Sequence, residues 1–163
     1  MQFKYSSLVD PLEYDLEGLS DPCLNLRTSN YPASEEIGSL RAQRDWKKYV
    51  GPLEEPYRGG LGPHGNIMAF AVPEDIPERM EIISYASELA FLHDDVTDIS
   101  SEEEIHLEND RMLEAFLEGA ETGTIQSGKS GKRYMQQQMF REMMAIDAPR
   151  AVVTARAWAQ FLQ

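Results

Sequence analysis

Between Pro77 and Asp98 the chain carries a long apolar helix whose last turn is acidic, and few folds accommodate both properties at once. Ile82, Tyr85, Leu89, Leu92 and Val96 recur at helical spacing and form one stripe. Ile83, Ala86 and Ala90 fill most of the remaining circumference, and Ser84, Ser87 and Glu88 are the main polar interruptions. A helix this apolar on nearly every side belongs inside a bundle. Asp75 with Glu78 three residues on offers a start signal, and Pro77 is tolerated in a first turn. The stretch then ends in Asp94, Asp95 and Asp98.

Unpaired buried carboxylates are costly, and two held close together do not both stay ionised cheaply. Asp94 and Asp98 stand at i and i+4 on one face, with Asp95 on the flank. A hard divalent cation relieves the conflict. Mg2+ takes oxygen ligands and is usually held by one or two carboxylates together with phosphates and water. Phe91 and Ser87 lie one to two turns back, an aromatic face and a small residue below the acids. Metal at the rim and an aromatic below suit a substrate with a diphosphate head and a hydrocarbon tail. The plainer alternative is an acidic turn that frays into solvent.

The remaining elements are shorter. Residues 1–33 show no sustained period and are broken by Pro11, Gly18, Pro22 and Pro32. They predict an extended arm with short turns, packed through Phe3, Tyr5, Leu8 and Tyr14. Ser34 to Val50 predicts a helix capped by Ser34, with a thin stripe of Ile37, Leu40, Trp46 and Val50, lying on the outside of the bundle. Gly60-Leu61-Gly62-Pro63-His64-Gly65 matches G-x-G-x-x-G, but no strand precedes it and no βαβ pattern surrounds it. It reads as tight coil rather than a dinucleotide loop. Asn66 to Val72 continues the coil or forms a helical turn.

Ser100 and Ser101 before Glu102-Glu103-Glu104 start another helix, with Ile105, Met112, Leu113, Phe116 and Leu117 on its apolar face and Gly119 and Gly123 ending it. Its Glu103-x-x-His106 resembles half of a di-iron site, but no second copy exists, so surface residues are expected. After a Gly/Ser-rich connector, Lys132 to Ile146 predicts a helix with Met135, Met139, Phe140, Met143 and Ile146 inward. Pro149 opens a last helix through Val152, Val153, Ala157, Trp158, Phe161 and Leu162. The apolar pattern is still running at Gln163, which predicts a chain truncated within that helix.

At 163 residues the chain is one ordinary domain. Its net charge of −13 argues against nucleic acid as a partner. The charge is uneven: Asp94 to Glu121 holds eleven acids against one base, whereas Ser127 to Gln163 holds six bases against two acids. Cys23 is the only cysteine, which excludes an internal disulfide and fits a reducing compartment, the cytoplasm. Met1 to Asp10 has no apolar core of a signal peptide, and no run is long enough to span a bilayer.

Phe91-x-His93-Asp94-Asp95-x-x-Asp98 resembles the aspartate-rich motif of class I terpene synthases. Arg41-Ala42-Gln43 with Asp45-Trp46, Gly51-Pro52-Leu53, Pro77-Glu78-Arg79-Met80-Glu81-Ile82, Gly131-Lys132-Arg133 and Arg141-Glu142-Met143-Met144-Ala145-Ile146-Asp147 resemble the cyclase domain of fungal bifunctional di- and sesterterpene synthases. The similarity spans nearly all of the chain and about the first half of such a domain. It implies an all-α fold, a partial isoprenoid-synthase helical bundle over residues 34–163 behind the irregular N-terminal arm of residues 1–33.

It also implies a Mg2+-dependent lyase that ionises a C20 or C25 isoprenyl diphosphate (geranylgeranyl or geranylfarnesyl diphosphate) and cyclises the carbocation. Asp94 would be the principal ligand, Asp98 its support and Asp95 an orienting group. Phe91 would face the cation, with Ser87 on the substrate wall. The implied partners are the C-terminal half of the cyclase and a prenyltransferase domain.

The family's second metal motif has a near-miss at Asn109-Asp110, where Leu113 and Leu117 replace ligand types. Two alternatives stand beside the cyclase. One is a trans-prenyltransferase subunit, disfavoured by Ile99-Ser100-Ser101-Glu102 where an arginine pair usually follows. The other is a catalytically silent acidic helical interaction protein.

Overall fold

A computed structural model describes residues 3–10, 25–63 and 65–163, and the expectations for Pro11, Tyr14, Gly18, Pro22, Cys23 and His64 lie outside them. The described chain is helical apart from two small ladders. Strands β1 (Ser6–Leu8) and β2 (Arg27–Ser29) pair antiparallel, with Ser6 opposite Ser29. The Glu74 carboxylate fastens this ladder by accepting from Lys4 N at 2.9 Å, Tyr5 N at 3.2 Å and the Ser6 hydroxyl. The arm is thus a docked hairpin where it is described.

Helix α1 (Pro32–Tyr49) begins earlier than Ser34 predicts, because Pro32 supplies a fixed φ in its first turn and no side chain caps it. Its expected stripe is also corrected. Ile37 and Leu40 are 52% and 53% exposed, while Glu35, Gly38, Ser39, Ala42 and Trp46 face inward. The reason is close approach. A Cβ on Gly38 would stand 2.2 Å from the Glu81 carbonyl oxygen and 2.9 Å from the Ser84 Cβ, so only small residues fit between α1 and α3 (Pro77–Asp98). These two helices form the most extensive packing in the structure. Between them in sequence come a second ladder, β3 (Leu61–Gly62) with β4 (Gly65–Asn66), and the short helix α2 (Ile67–Ala71), whose Met68 N is capped by Asn66 Oδ1 at 2.9 Å.

Helix α3 has the predicted bounds, and Met80, Ile82, Tyr85, Ala86, Leu89 and Leu92 are in the core. Its N-cap is Ile76 rather than Asp75. Asp75 spends its carboxylate on the adjacent Ile76 N, and Pro77 makes a side-chain cap less necessary.

Helix α4 (Glu102–Thr122) starts with a reciprocal capping box between Ser101 and Glu104 and ends at Gly123, whose φ is +75°. Gly119 does not end it. That residue is buried where a Cβ would press on Ile125 and Phe140. Leu117, expected inward, is 38% exposed, and Ala115 and Ala120 take the inner positions.

Helix α5 (Gly131–Phe161) breaks at Asp147, with φ −156° and ψ 86°, where two predicted helices meet. Asp147 Oδ1 accepts from Arg150 N at 3.2 Å and so caps the second segment, with Pro149 in its first turn. Met135, Met139 and Phe140 are buried as expected, but Ile146 is largely exposed. The second segment is rotated relative to its prediction. Ala151, Ala155 and Ala159 face inward, whereas Val153 and Phe161 face solvent. Alanines at i, i+4 and i+8 permit a close backbone approach that larger side chains on the same helix would prevent. Arg41 ties the assembly laterally, pairing with Glu81 of α3 and Glu142 of α5 at 2.6 Å each and lying over the Tyr85 ring.

Two opposing effects meet at Gly38. Alanine is the better helix former by up to about 1 kcal/mol, but overpacking against backbone usually costs about 1–3 kcal/mol. The backbone contact prevails, so Gly38→Ala is expected to lower the urea midpoint of unfolding. A raised midpoint would mean that α1 and α3 are not held this closely.

Candidate functional site

At about 100° per residue, Asp94 returns to within about 20° of the direction of Ser87, and Asp98 does so from the other side. Ile83, Ser87, Asp94 and Asp98 therefore share one face of α3, with Ala90 beside them. Part of this face borders a groove of about 540 Å3 between α2, α3 and α5. Ile82, Ile83, Ala86, Ser87 and Ala90 line its α3 side, Met143, Ile146, Ala151 and Trp158 its α5 side, and Met68 comes from α2. Asp75, Arg79, Asp147 and Arg150 occupy the end near the start of α3, where Arg79 Nη2 meets Asp147 Oδ2 at 2.6 Å. The groove is thus apolar along its length, bounded by an ion pair at one end and leading towards Asp94 at the other.

Asp94, Asp95 and Asp98 are all exposed, so the helix is buried up to the turn at which the acids begin. The expectation of a buried acidic end is corrected in that respect. The three acids stand on the solvent side of that turn, whereas Leu92 and His93 of the same turn face the core. Among the described residues no cation pairs with Asp94 or Asp98 and no three His, Cys, Asp or Glu side chains converge as a metal cluster. Two oxygen-donor carboxylates on one helical face are a donor set that fits a hard divalent cation completed by other oxygen ligands. Ser87 lies in the groove wall. Phe91 is half-buried on the adjoining flank, where a Cβ on Gly60 would lie 3.4 Å from its ring, and it does not line the groove.

Behind the acids stand polar groups that no sequence pattern connects. His93 is buried and bonded at both ring nitrogens, with Nε2 at 2.9 Å from Asn109 Oδ1 and Nδ1 at 3.3 Å from Lys132 Nζ. A lysine ammonium only donates, so Nδ1 accepts and Nε2 carries the proton donated to Asn109. Burial holds His93 below the ordinary imidazole range. Lys132 also donates to Glu108 Oε2 at 2.8 Å and lies over the Trp46 ring, joining all four long helices at the end of α3 that bears the aspartates. Asn109, the start of the near-miss motif, is therefore engaged by His93. Glu103 and His106 are exposed, as their lack of a second copy leads one to expect.

Glu88, counted in the sequence only as a polar interruption, is fully buried on the opposite flank of the groove face. Its Oε1 accepts from Gln43 Nε2 at 2.8 Å and its Oε2 from Gly60 N at 2.9 Å. Gly59, with φ +53°, passes so close that a Cβ would stand 1.8 Å from Oε1. The glycines of the G-x-G-x-x-G match thus include one that serves a buried carboxylate and not a phosphate. A glutamate in an otherwise buried helical face was the available signal. Tyr57, from the same loop, buries a hydroxyl that has no hydrogen-bond partner, a situation that usually costs about 1–3 kcal/mol.

Burial raises the Glu88 carboxyl above its ordinary value, against the opposing bonds from Gln43 and Gly60. A raised carboxyl contributes its stability below the unfolded value of 4.5 and loses it as pH rises through the folded one. Glu88→Gln removes that loss, and Gln43 can flip to accept from the new amide. The stability of Glu88→Gln relative to the parent chain is therefore expected to increase from pH 4.5 to pH 7.5 in urea titrations. A pH-independent difference would place Glu88 in a wetter setting than its burial indicates.

No family model matches the chain. Fusicoccadiene synthase of Phomopsis amygdali is 46% identical over 100% of this chain and 23% of its own length. A bifunctional type I diterpene synthase of Aspergillus flavipes is 47% identical over 100% of the chain and 21% of its own length. A bifunctional sesterterpene synthase of Aspergillus aculeatus is 45% identical over 100% and 23% respectively. The chain spans less than a quarter of the length of these relatives. As a segment homologous over its whole length, the chain belongs with the fungal di- and sesterterpene synthases.

Proposed function

We propose that this chain forms one wall of a class I terpene cyclase site acting on a C20 or C25 isoprenyl diphosphate. The observation that carries the proposal is the continuity of one α3 face, from groove-lining Ile83 and Ser87 to the exposed pair Asp94 and Asp98. A diphosphate head and an apolar tail are the two ligand parts such a face accommodates. Asp94 and Asp98 would hold Mg2+, with Asp95 orienting its neighbours. When bound, Mg2+ supplies positive charge that neutralises a diphosphate leaving group and polarises its bridging oxygen. The apolar groove excludes water from the hydrocarbon chain, and Ser87 leaves room for it one to two turns below the acids. Phe91, on the flank of the same turn, offers an aromatic ring, which attracts positive charge by about 0.5–2 kcal/mol.

The lyase class, the dependence on Mg2+ and the partnership with a C-terminal cyclase half and a prenyltransferase domain form part of the same proposal. The names of two relatives, which call them bifunctional, support the last. We place the activity in the cytoplasm, in keeping with a single cysteine. Among the described residues no helix is long and apolar enough to cross a membrane.

In a protein that carries this segment with the remainder of a synthase, Asp94→Ala is expected to abolish diphosphate release while leaving the circular dichroism spectrum unchanged. Turnover at the parent rate would remove Asp94 from the metal site. The 163-residue chain alone supplies only one carboxylate wall, so it is expected to release no diphosphate from geranylgeranyl or geranylfarnesyl diphosphate with Mg2+. Release above the no-enzyme control from a monodisperse monomer would show that this wall suffices.

A further inference from the structure

The groove that leads towards Asp94 is closed at its other end by charge. Arg79 stands in the first turn of α3 and Asp147 at the break in α5. Both line the groove, and Arg79 Nη2 donates to Asp147 Oδ2 at 2.6 Å, joining its α3 side to its α5 side. Asp147 is also held from its own helix, since Oδ1 accepts from Arg150 N at 3.2 Å and Arg150 Nε lies 3.4 Å from Oδ2. Arg79 depends on Asp147. Its Nε is buried without a hydrogen-bond partner, and among the described residues Asp147 is the one carboxylate paired with it. Asp75 and Arg150 stand at the same end, and the rest of the lining is uncharged. The stretches Pro77 to Ile82 and Arg141 to Asp147, which the aspartates leave without a role, thus meet at this pair.

We propose that the Arg79–Asp147 pair is a specificity-determining stop, which fixes how far along the groove a hydrocarbon tail reaches. This rests on the function proposed above, in which the groove seats an isoprenyl tail. From Arg79 to Ala90 the α3 wall rises about 16 Å, at 1.5 Å per residue. An apolar ligand gains affinity from each methylene it buries along that wall. At the pair the gain ends. A tail pushed further either strips the remaining water from two charges or parts them, and both are costly. Nor does Asp147 swing aside freely, because its carboxylate caps the second segment of α5.

The test uses the 163-residue chain and a series of straight-chain 1-alkanols, whose heads carry no charge for Arg79 or Arg150 to bind. Binding is read from the emission of groove-lining Trp158, and Trp158→Phe identifies the groove's share of the signal. Affinity for the parent is expected to rise by up to about fourfold with each added methylene and then to level off. The first alkanol past that limit is expected to bind Arg79→Ala about fourfold more tightly than the parent. Arg79→Lys is expected to keep the parental limit, because its ammonium still pairs with Asp147. Arg79→Ala combined with Asp147→Asn removes both charges and keeps a capping side chain. It is expected to show the same extension, including where the single variant loses helical signal in circular dichroism. If no alkanol changes Trp158 emission, the groove takes no hydrocarbon, and the proposed function fails together with this inference. If alkanols bind but the limit stays parental in the double variant, the inference alone fails. A longer limit in Arg79→Lys would overturn it as well, since the ion pair would then not be the stop.

Discussion

The contact on which this structure depends is the close passage of α1 against α3 at Gly38. Backbone meets backbone there, with the Glu81 carbonyl beneath the glycine Cα. Because the helices run this near, the α1 residues around Gly38 that face inward are small or polar, Ile37 and Leu40 are turned outward, and the large Trp46 is buried two turns farther on. The same proximity brings Gln43 within reach of Glu88 and Arg41 within reach of Glu81. Glu88 in turn holds the loop at Gly60, so the hairpin that follows α1 is secured by a hydrogen bond accepted in the core. Buried acceptors are costly when unsatisfied and specific when satisfied.

A second polar node closes the other end. Lys132 reaches from the start of α5 to His93 of α3, Glu108 of α4 and the ring of Trp46 in α1. Breaking one arm would leave a buried charge or ring nitrogen without its partner, which is more costly than the bond itself is stabilising. This node lies directly behind Asp94. The helix turn that bears the aspartates is therefore solvent-exposed on one side and tied to three other helices on the other. Carboxylates on such a turn can reorient towards a ligand while their backbone stays fixed.

Glu35 marks a different use of burial. It is fully buried in the first turn of α1, neither carboxylate oxygen has a hydrogen-bond partner, and burial raises its carboxyl. Ser39 and Asn66 lie in the same region and bond each other at 2.8 Å. The interface between α1 and the β4–α2 corner is thus polar, whereas the α4–α5 interface is built from Met112, Phe116, Met135, Met139 and Phe140.

Local rules determined much of this protein. The 3.6-residue period and the Asp98 boundary define α3, the Ser101–Glu104 box starts α4, Gly123 ends it, and Pro149 marks where α5 must break. Asp94 and Asp98 share a face with Ser87 for the same reason, since helical geometry alone decides it. Which face of α1 is buried could not be read locally. A stripe of Ile37 and Leu40 is a weak signal, and the approach set by Gly38 overrode it. Alanines 151, 155 and 159 won the inner face of α5 over Val153 and Phe161 in the same way. The partners of Glu88, His93 and Lys132 also belong to tertiary structure, because residues 16 or more positions apart meet only after the helices pack. Periodicity reports where a side chain points around its own helix; how near the next helix comes, and which polar groups it brings, depends on the packing of the whole chain.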